Sequence, residues 1–252
     1  MAISYLRRLT AISRSPQANR HLAYFLTFTA GAVNAGGFLA VQQYTSHMSG
    51  IVSMMADHVV LGGVVVVLQG LAALLSFLAG AASSAMLINF GRRSRLSSEY
   101  ALPLLCEAAL LLGFGLLGAN LETLRWFYVP GTVMLLCYIM GLQNAMITKL
   151  SRSEIRTTHI TGMVTDIGIE LGKLCYWNVA KGDPADRQLV RADRAKLMVL
   201  TALVTLFFLG GVTGAYSFFS FGFGSTVPLA LMLMGLAAVP IVDDIRGLLP
   251  RA

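Results

Sequence analysis

The chain has 252 residues, is 56% hydrophobic but only 12% charged, and has a mean hydropathy of +0.70. Soluble domains carry about 25% charged residues, so the composition excludes an ordinary water-soluble fold and argues for an all-α polytopic membrane protein. The net charge of +7 does not indicate a nucleic-acid partner. The basic residues sit in short loops beside apolar runs, where they orient the chain and meet anionic headgroups of the bilayer.

In chain order, residues 1–20 form a basic tail with Arg7, Arg8, Arg14 and Arg20. The tail has no apolar core ending in a small-residue cleavage site, so the first span is expected to be an uncleaved anchor. Runs near the ~20 apolar residues needed to cross a bilayer lie at 22–41, 63–90, 101–119, 126–148, 197–221 and 225–242. Two shorter or more polar segments, 45–61 and 159–180, stand between them. Placing the tail inside, together with the basic loops 91–100, 149–156 and 181–196, leaves only Arg125 and Lys173 of the 19 basic residues off the cytoplasmic face. This requires 45–61 and 159–180 each to return to the face it left. The expected fold is six transmembrane helices plus two re-entrant or broken helices, with both termini cytoplasmic.

Within this apolar chain one polar motif occurs twice. The first copy is Gly31-Ala32-Val33-Asn34-Ala35 followed by Thr45-Ser46-His47-Met48-Ser49-Gly50-Ile51-Val52-Ser53. The second is Gly141-Leu142-Gln143-Asn144-Ala145 followed by Thr157-Thr158-His159-Ile160-Thr161-Gly162-Met163-Val164-Thr165. The offsets are 110 for the Gly/Asn block and 112 for the Thr/His/Gly block. Two repeats are therefore expected, 21–120 and 126–246, each of three spans plus one re-entrant segment. The first starts inside and the second outside, so the halves are inverted, an arrangement that places a site at the midplane between them.

Thr45-Ser46 and Thr157-Thr158 are of the types that cap helix N-termini. Each pair is expected to open a half-helix near His47 or His159, whose unpaired N–H groups and dipole attract anions or electron-rich oxygens. Gly50 and Gly162 permit close backbone approach. Ser49 and Ser53, like Thr161 and Thr165, share a helix face. Asn34 and Asn144 lie deep in spans, where an unpaired amide is costly. The candidate solute-binding set is thus Asn34, Thr45, His47, Ser49, Gly50, Asn144, Thr157, His159, Thr161 and Gly162. The same residue types also bond or pack neighbouring membrane helices.

Carboxylates within membrane segments are functional candidates by default. Asp57, Asp166 and Glu170 are the candidates for proton or ion coupling; Asp166 and Glu170 share a face, with Lys173 next to it. Glu107 stands alone, and an inter-helix hydrogen bond would also account for it. A Gly80-x-x-x-Ser84 step suits close helix packing within the fold or in a homo-oligomer. Cys106, Cys137 and Cys175 match neither a metal spacing nor a disulfide framework. No His-x-x-x-His, Walker loop, Gly-x-Ser-x-Gly or dinucleotide fingerprint is present, so neither a metal, a cofactor nor catalytic residues are expected.

At these residues the chain resembles the YoaK-like bacterial membrane family, catalogued as a domain of unknown function. The resemblance rests on Gly31-x-x-Asn34-Ala35, His47-Met48-Ser49-Gly50, Gly141-Leu142-Gln143-Asn144-Ala145 and Thr157-Thr158-His159-Ile160-Thr161-Gly162, and covers about residues 20–245. It implies an integral protein of the bacterial inner (cytoplasmic) membrane. The family pattern commonly has an acidic residue where Asn34 stands, and Asn after a Thr-Gly pair where Ser49-Gly50-Ile51 stands.

The leading expectation is a non-enzymatic secondary transporter or channel. A small polar or anionic solute, or an ion, would bind between inverted halves at the two half-helix N-termini. The alternatives are a non-catalytic membrane scaffold or assembly factor, and an intramembrane enzyme that acts on a lipid with the His pair as acid and base.

Overall fold

A computed structural model describes residues 16–96, 98–118, 125–150, 159–176 and 190–248. Among these residues every regular element is a helix: α1 (Pro16–Val41), α2 (Met48–Val60), α3 (Val64–Arg93), α4 (Ala101–Gly118), α5 (Arg125–Leu150), α6 (Ile160–Cys175), α7 (Arg194–Phe221), a short 3₁₀ turn (Gly222–Ser225) and α8 (Thr226–Leu248). The long helices coincide with the apolar runs to within a few residues at most ends. The largest excesses are at the start of α1, which begins at Pro16 and not at 22, and at the end of α8, which continues past 242 through Asp243 and Asp244. A helix does not stop where hydropathy stops, because its hydrogen bonds persist once the chain leaves the apolar layer.

Among the described residues, five stretches are long and apolar enough to cross a membrane: Gln17–Val41, Val64–Arg93, Ala101–Gly118, Val129–Lys149 and Arg194–Ile245, the last containing α7 and most of α8. α2 and α6 are shorter. At 1.5 Å per residue, their 13 and 16 residues extend about 20 and about 24 Å, less than the ~30 Å hydrocarbon core.

α1 and α5 are central: 56% and 61% of their most apolar windows are buried, against 17% for α3. The main core gathers Leu22 and Leu26 of α1, Leu104, Leu111 and Phe114 of α4, Leu136 and Met140 of α5, and Leu233 of α8. Phe114, Phe218 and Phe223 close one end as a trio with ring centroids 5.5–6.1 Å apart. α3 and α7 lie outside and present Val64, Val65, Leu68, Leu75 and Leu78, and Phe208, Val212, Tyr216 and Phe219. A soluble monomer rarely exposes so large a contiguous apolar surface. The bundle is that of a membrane-embedded protein.

α1 pairs with α7 and α3 with α5 in the two most extensive helix contacts among the described residues, and the backbones approach closely at glycines. A methyl group on Gly31 would collide with the Phe207 carbonyl, and one on Gly210 with the Phe28 carbonyl. In the other pair, Gly141 meets the Phe77 carbonyl and Gly80 the Tyr138 carbonyl. The Gly80–Ser84 step, both residues buried, is therefore used inside the fold against α5. Each short helix rests on the long helix that follows it, α2 on α3 and α6 on α7.

Candidate functional site

A cavity of about 730 Å³ opens where the two short helices begin. It is lined by Asn34 of α1, by Tyr44, Ser46, His47, Met48 and Ser49 at the start of α2, by Asn144 of α5, and by His159, Ile160 and Thr161 at the start of α6. Phe77 of α3 and Phe207 of α7 complete the wall. Both copies of the motif, more than a hundred residues apart in sequence, thus meet around one space.

The two helix starts are built alike. His47 is the N-cap of α2, with φ −91° and ψ 67°, and His159 that of α6, with φ −87° and ψ 54°. The first helical bonds run from Ile51 N–H to the His47 carbonyl and from Met163 N–H to the His159 carbonyl, both 3.1 Å. The amides of the three residues after each histidine precede those bonds, so the helix itself supplies them no acceptor. Each imidazole lies across the first turn, against the Cα of Gly50 or Gly162. A methyl group at either glycine would collide with the ring carbon Cδ2.

This corrects the capping expected of Thr45 and Ser46. The Ser46 hydroxyl donates to Asn34 Oδ1 at 2.8 Å, tying the start of α2 to α1, and does not turn back to its own helix. Thr45 is fully buried and does not line the cavity, and its hydroxyl has no hydrogen-bond partner among the described residues. The cap position falls to histidine, whose side chain accepts from no backbone N–H in either helix. The first turns of both helices, whose residues Met48, Ser49, Ile160 and Thr161 line the cavity, therefore have no capping side-chain oxygen from the N-cap residue. Thr157 and Thr158 lie outside the described residues.

Of the expected set, the structure brings Asn34, His47, Ser49, Asn144, His159 and Thr161 to the cavity, with Gly50 and Gly162 beneath the imidazoles. Phe77 and Phe207 were not among the candidates, although the sequence carries a signal for them. Phe77-x-x-Gly80 and Phe207-x-x-Gly210 form a further repeated pair, offset by 130.

The three coupling candidates do not line the cavity. Asp57 is exposed on α2. Asp166 pairs with Lys196 at 3.1 Å, both half-exposed, and such a pair contributes little, about 0–1 kcal/mol. Glu170 is buried. One of its oxygens accepts from Lys173 Nζ at 2.9 Å and the other from the Asp193 N–H at 2.8 Å, which ties α6 to the start of α7. Asp193 in turn caps α7 by accepting from the Lys196 N–H at 2.9 Å. Glu170→Gln is expected to speed amide hydrogen exchange across α6 and the first turn of α7 while α2 keeps its protection; equal exchange in both proteins would mean that the carboxylate is not the tie. No group of three or more His, Cys, Asp or Glu suited to a metal occurs among the described residues.

No curated protein and no solved structure matches the chain. The family described as a protein of unknown function, DUF1275, matches over residues 22–239, from the first turns of α1 to all but the end of α8. That span contains both copies of the motif and the whole cavity, and the resemblance to the YoaK-like family holds. The chain, a membrane-embedded helical bundle, belongs to the DUF1275 family of proteins of unknown function.

Proposed function

We propose that the protein is a secondary transporter or channel that binds a small polar or anionic solute in the motif-lined cavity, between two inverted halves. The observation that carries this reading is the convergence of Asn34, His47 and Ser49 with Asn144, His159 and Thr161 on one cavity. Its volume, about 730 Å³, suits a small molecule. Two uncapped helix starts offer N–H groups and positive dipole ends to electron-rich atoms of the solute. The histidines donate hydrogen bonds to the solute or carry protons, and the two asparagine amides orient the solute.

The glycine crossings support the halves. α1 on α7 and α5 on α3 make the same contact, with residues displaced by 110 on one helix of each pair and 130 on the other. On this reading α1, α3, α4, α5, α7 and α8 cross the bilayer of the bacterial inner membrane. α2 and α6 enter and return, and both termini are cytoplasmic. Irregular backbone at the half-helix starts is tolerated in the membrane because it lines a cavity. Asp166 and Glu170 then stand beyond the cavity on α6, where they would serve a departing proton or ion.

The test is a thermal-shift screen of the purified protein with small anions, carboxylates, amines and nucleobases. A ligand that binds only the folded state adds about 2.7 kcal/mol of stability at a hundred times its Kd. A hit is expected that disappears in His47→Ala and in His159→Ala. A panel without any hit, with both variants as stable as the parent, rejects the cavity as a solute site.

A further inference from the structure

A second polar site lies buried outside the cavity, where α1, α4 and α5 meet. Glu107 of α4 and Gln143 of α5 expose no surface. Gln143 Nε2 donates to Glu107 Oε1 at 2.8 Å and to the Leu26 carbonyl of α1 at 3.2 Å, so one amide joins three helices with both of its hydrogens. The other two oxygens, Glu107 Oε2 and Gln143 Oε1, are buried without a hydrogen-bond partner among the described residues.

A carboxylate ionised here would lack a compensating cation. The packed helices contribute Arg20, His21 and Tyr24 of α1 as well as Cys106, Cys137, Tyr138, Lys149, Arg92, Arg93, Asp243 and Asp244, and Tyr100 is buried in the same core; none of these hydrogen-bonds to or ion-pairs with Glu107. Lys149 is held by Asn89 and the Ala85 carbonyl, and Arg92 by Glu99. An uncompensated buried charge is among the costliest features a fold can contain, whereas the neutral acid is tolerated. Repeat packing does not require the pair either. At the offset of 110, Gln143 corresponds to Val33, an apolar residue buried in the core.

We propose that Glu107 is an exchangeable proton site whose occupancy sets the packing of α4 against α5 and, through α5, access to the cavity. This rests on the solute reading and makes it proton-coupled. When the Oε2–H bond breaks, the electron pair stays on the carboxylate and the proton passes to water admitted into the gap between the helices. The remaining charge keeps that gap hydrated and α4 displaced. Gln143 precedes Asn144 on α5, so a shift at the buried pair is felt at the cavity wall.

The test places a thiol at the exposed cavity residue Ser49 and follows its maleimide labelling in S49C. Rates are normalised to the same thiol in the unfolded chain, and the labelling of the native cysteines is subtracted. The expected result is a several-fold change in labelling rate between neutral and alkaline pH. Added E107Q, which mimics the protonated acid, should hold the rate at its neutral-pH value throughout. An S49C thiol that labels at one rate at every pH overturns the proton site and leaves the solute cavity standing. A pH response unchanged by E107Q does the same, as does a response that follows sodium concentration at fixed pH. An S49C thiol that never labels overturns the open cavity and the coupling together. If E107Q does not fold, Q143L in the S49C protein takes its place: it removes the amide that holds Glu107 Oε1 and should move the pH at which labelling changes, and a response at the parent's pH overturns the proton site.

Discussion

Gly80→Ala is expected to destabilise the protein by about 1–3 kcal/mol or more, read as a lower melting temperature and a loss of monodisperse protein in detergent. The added methyl group would occupy the position of the Tyr138 carbonyl on α5 and press on the backbone of Leu142. Neither is the far end of a flexible side chain, so α3 and α5 must separate along the whole crossing. Close helix approach is a main source of association energy in the bilayer, because lipid is as apolar as the helix surface and supplies no hydrophobic drive. Gly210→Ala should behave alike, since its methyl group meets the Phe28 carbonyl of α1. Gly113→Ala and Gly235→Ala are the controls. Nothing lies within 4 Å of a methyl group at either position, and Ala gains up to about 1 kcal/mol of helix propensity over Gly. If all four substitutions shift the melting temperature equally, the paired crossings do not hold the bundle together.

Gly50→Ala and Gly162→Ala are expected to divide stability from function in the opposite way. The methyl group at each meets an imidazole, not a backbone. A ring can rotate away, so the fold should persist with a small change of either sign, the helix propensity of Ala offsetting part of the strain. The displaced histidine no longer lies across the first turn, and its hydrogen bond to a bound solute is lost or misdirected. Losing about 1.4 kcal/mol is a tenfold loss of affinity, within reach of one hydrogen bond to a charged partner. The measurement is the ligand-induced thermal shift, compared at equal ligand concentration in the parent and both variants. Full retention of the shift in both variants would mean that the imidazoles do not touch the solute.

Asn34 and Asn144 show what could be read from the chain and what could not. Their duplication marked them as partners, and the cavity brings them to one wall. Yet the sequence expectation assigned the capping role to Thr45 and Ser46, and the fold gives the Ser46 hydroxyl to Asn34 instead. A hydroxyl can bond to its own helix or across to another, and the choice depends on how near α1 lies, which sequence spacing does not encode. Glu107 is a similar case. A lone carboxyl in an apolar run has no legible partner, because Gln143 is 36 residues away on another helix.

The sequence by itself determined the helical class, the ends of the long helices to within a few residues at most ends and the identity of the duplicated residues. These are local properties: hydropathy over about 20 residues fixes a span, and a repeat is visible without knowing where it folds. That the second motif-bearing helix has 16 residues, where the run 159–180 was long enough to span, came from the structure. Only the tertiary structure decided that α1 packs on α7 and α5 on α3, that Phe77 and Phe207 join the cavity, and that Glu107 shares one amide with Leu26. In a bilayer the surface facing lipid and the surface facing another helix are both apolar. The periodicity that identifies the buried face of a soluble helix is therefore absent, and only contacts between segments far apart in the chain specify which face meets which.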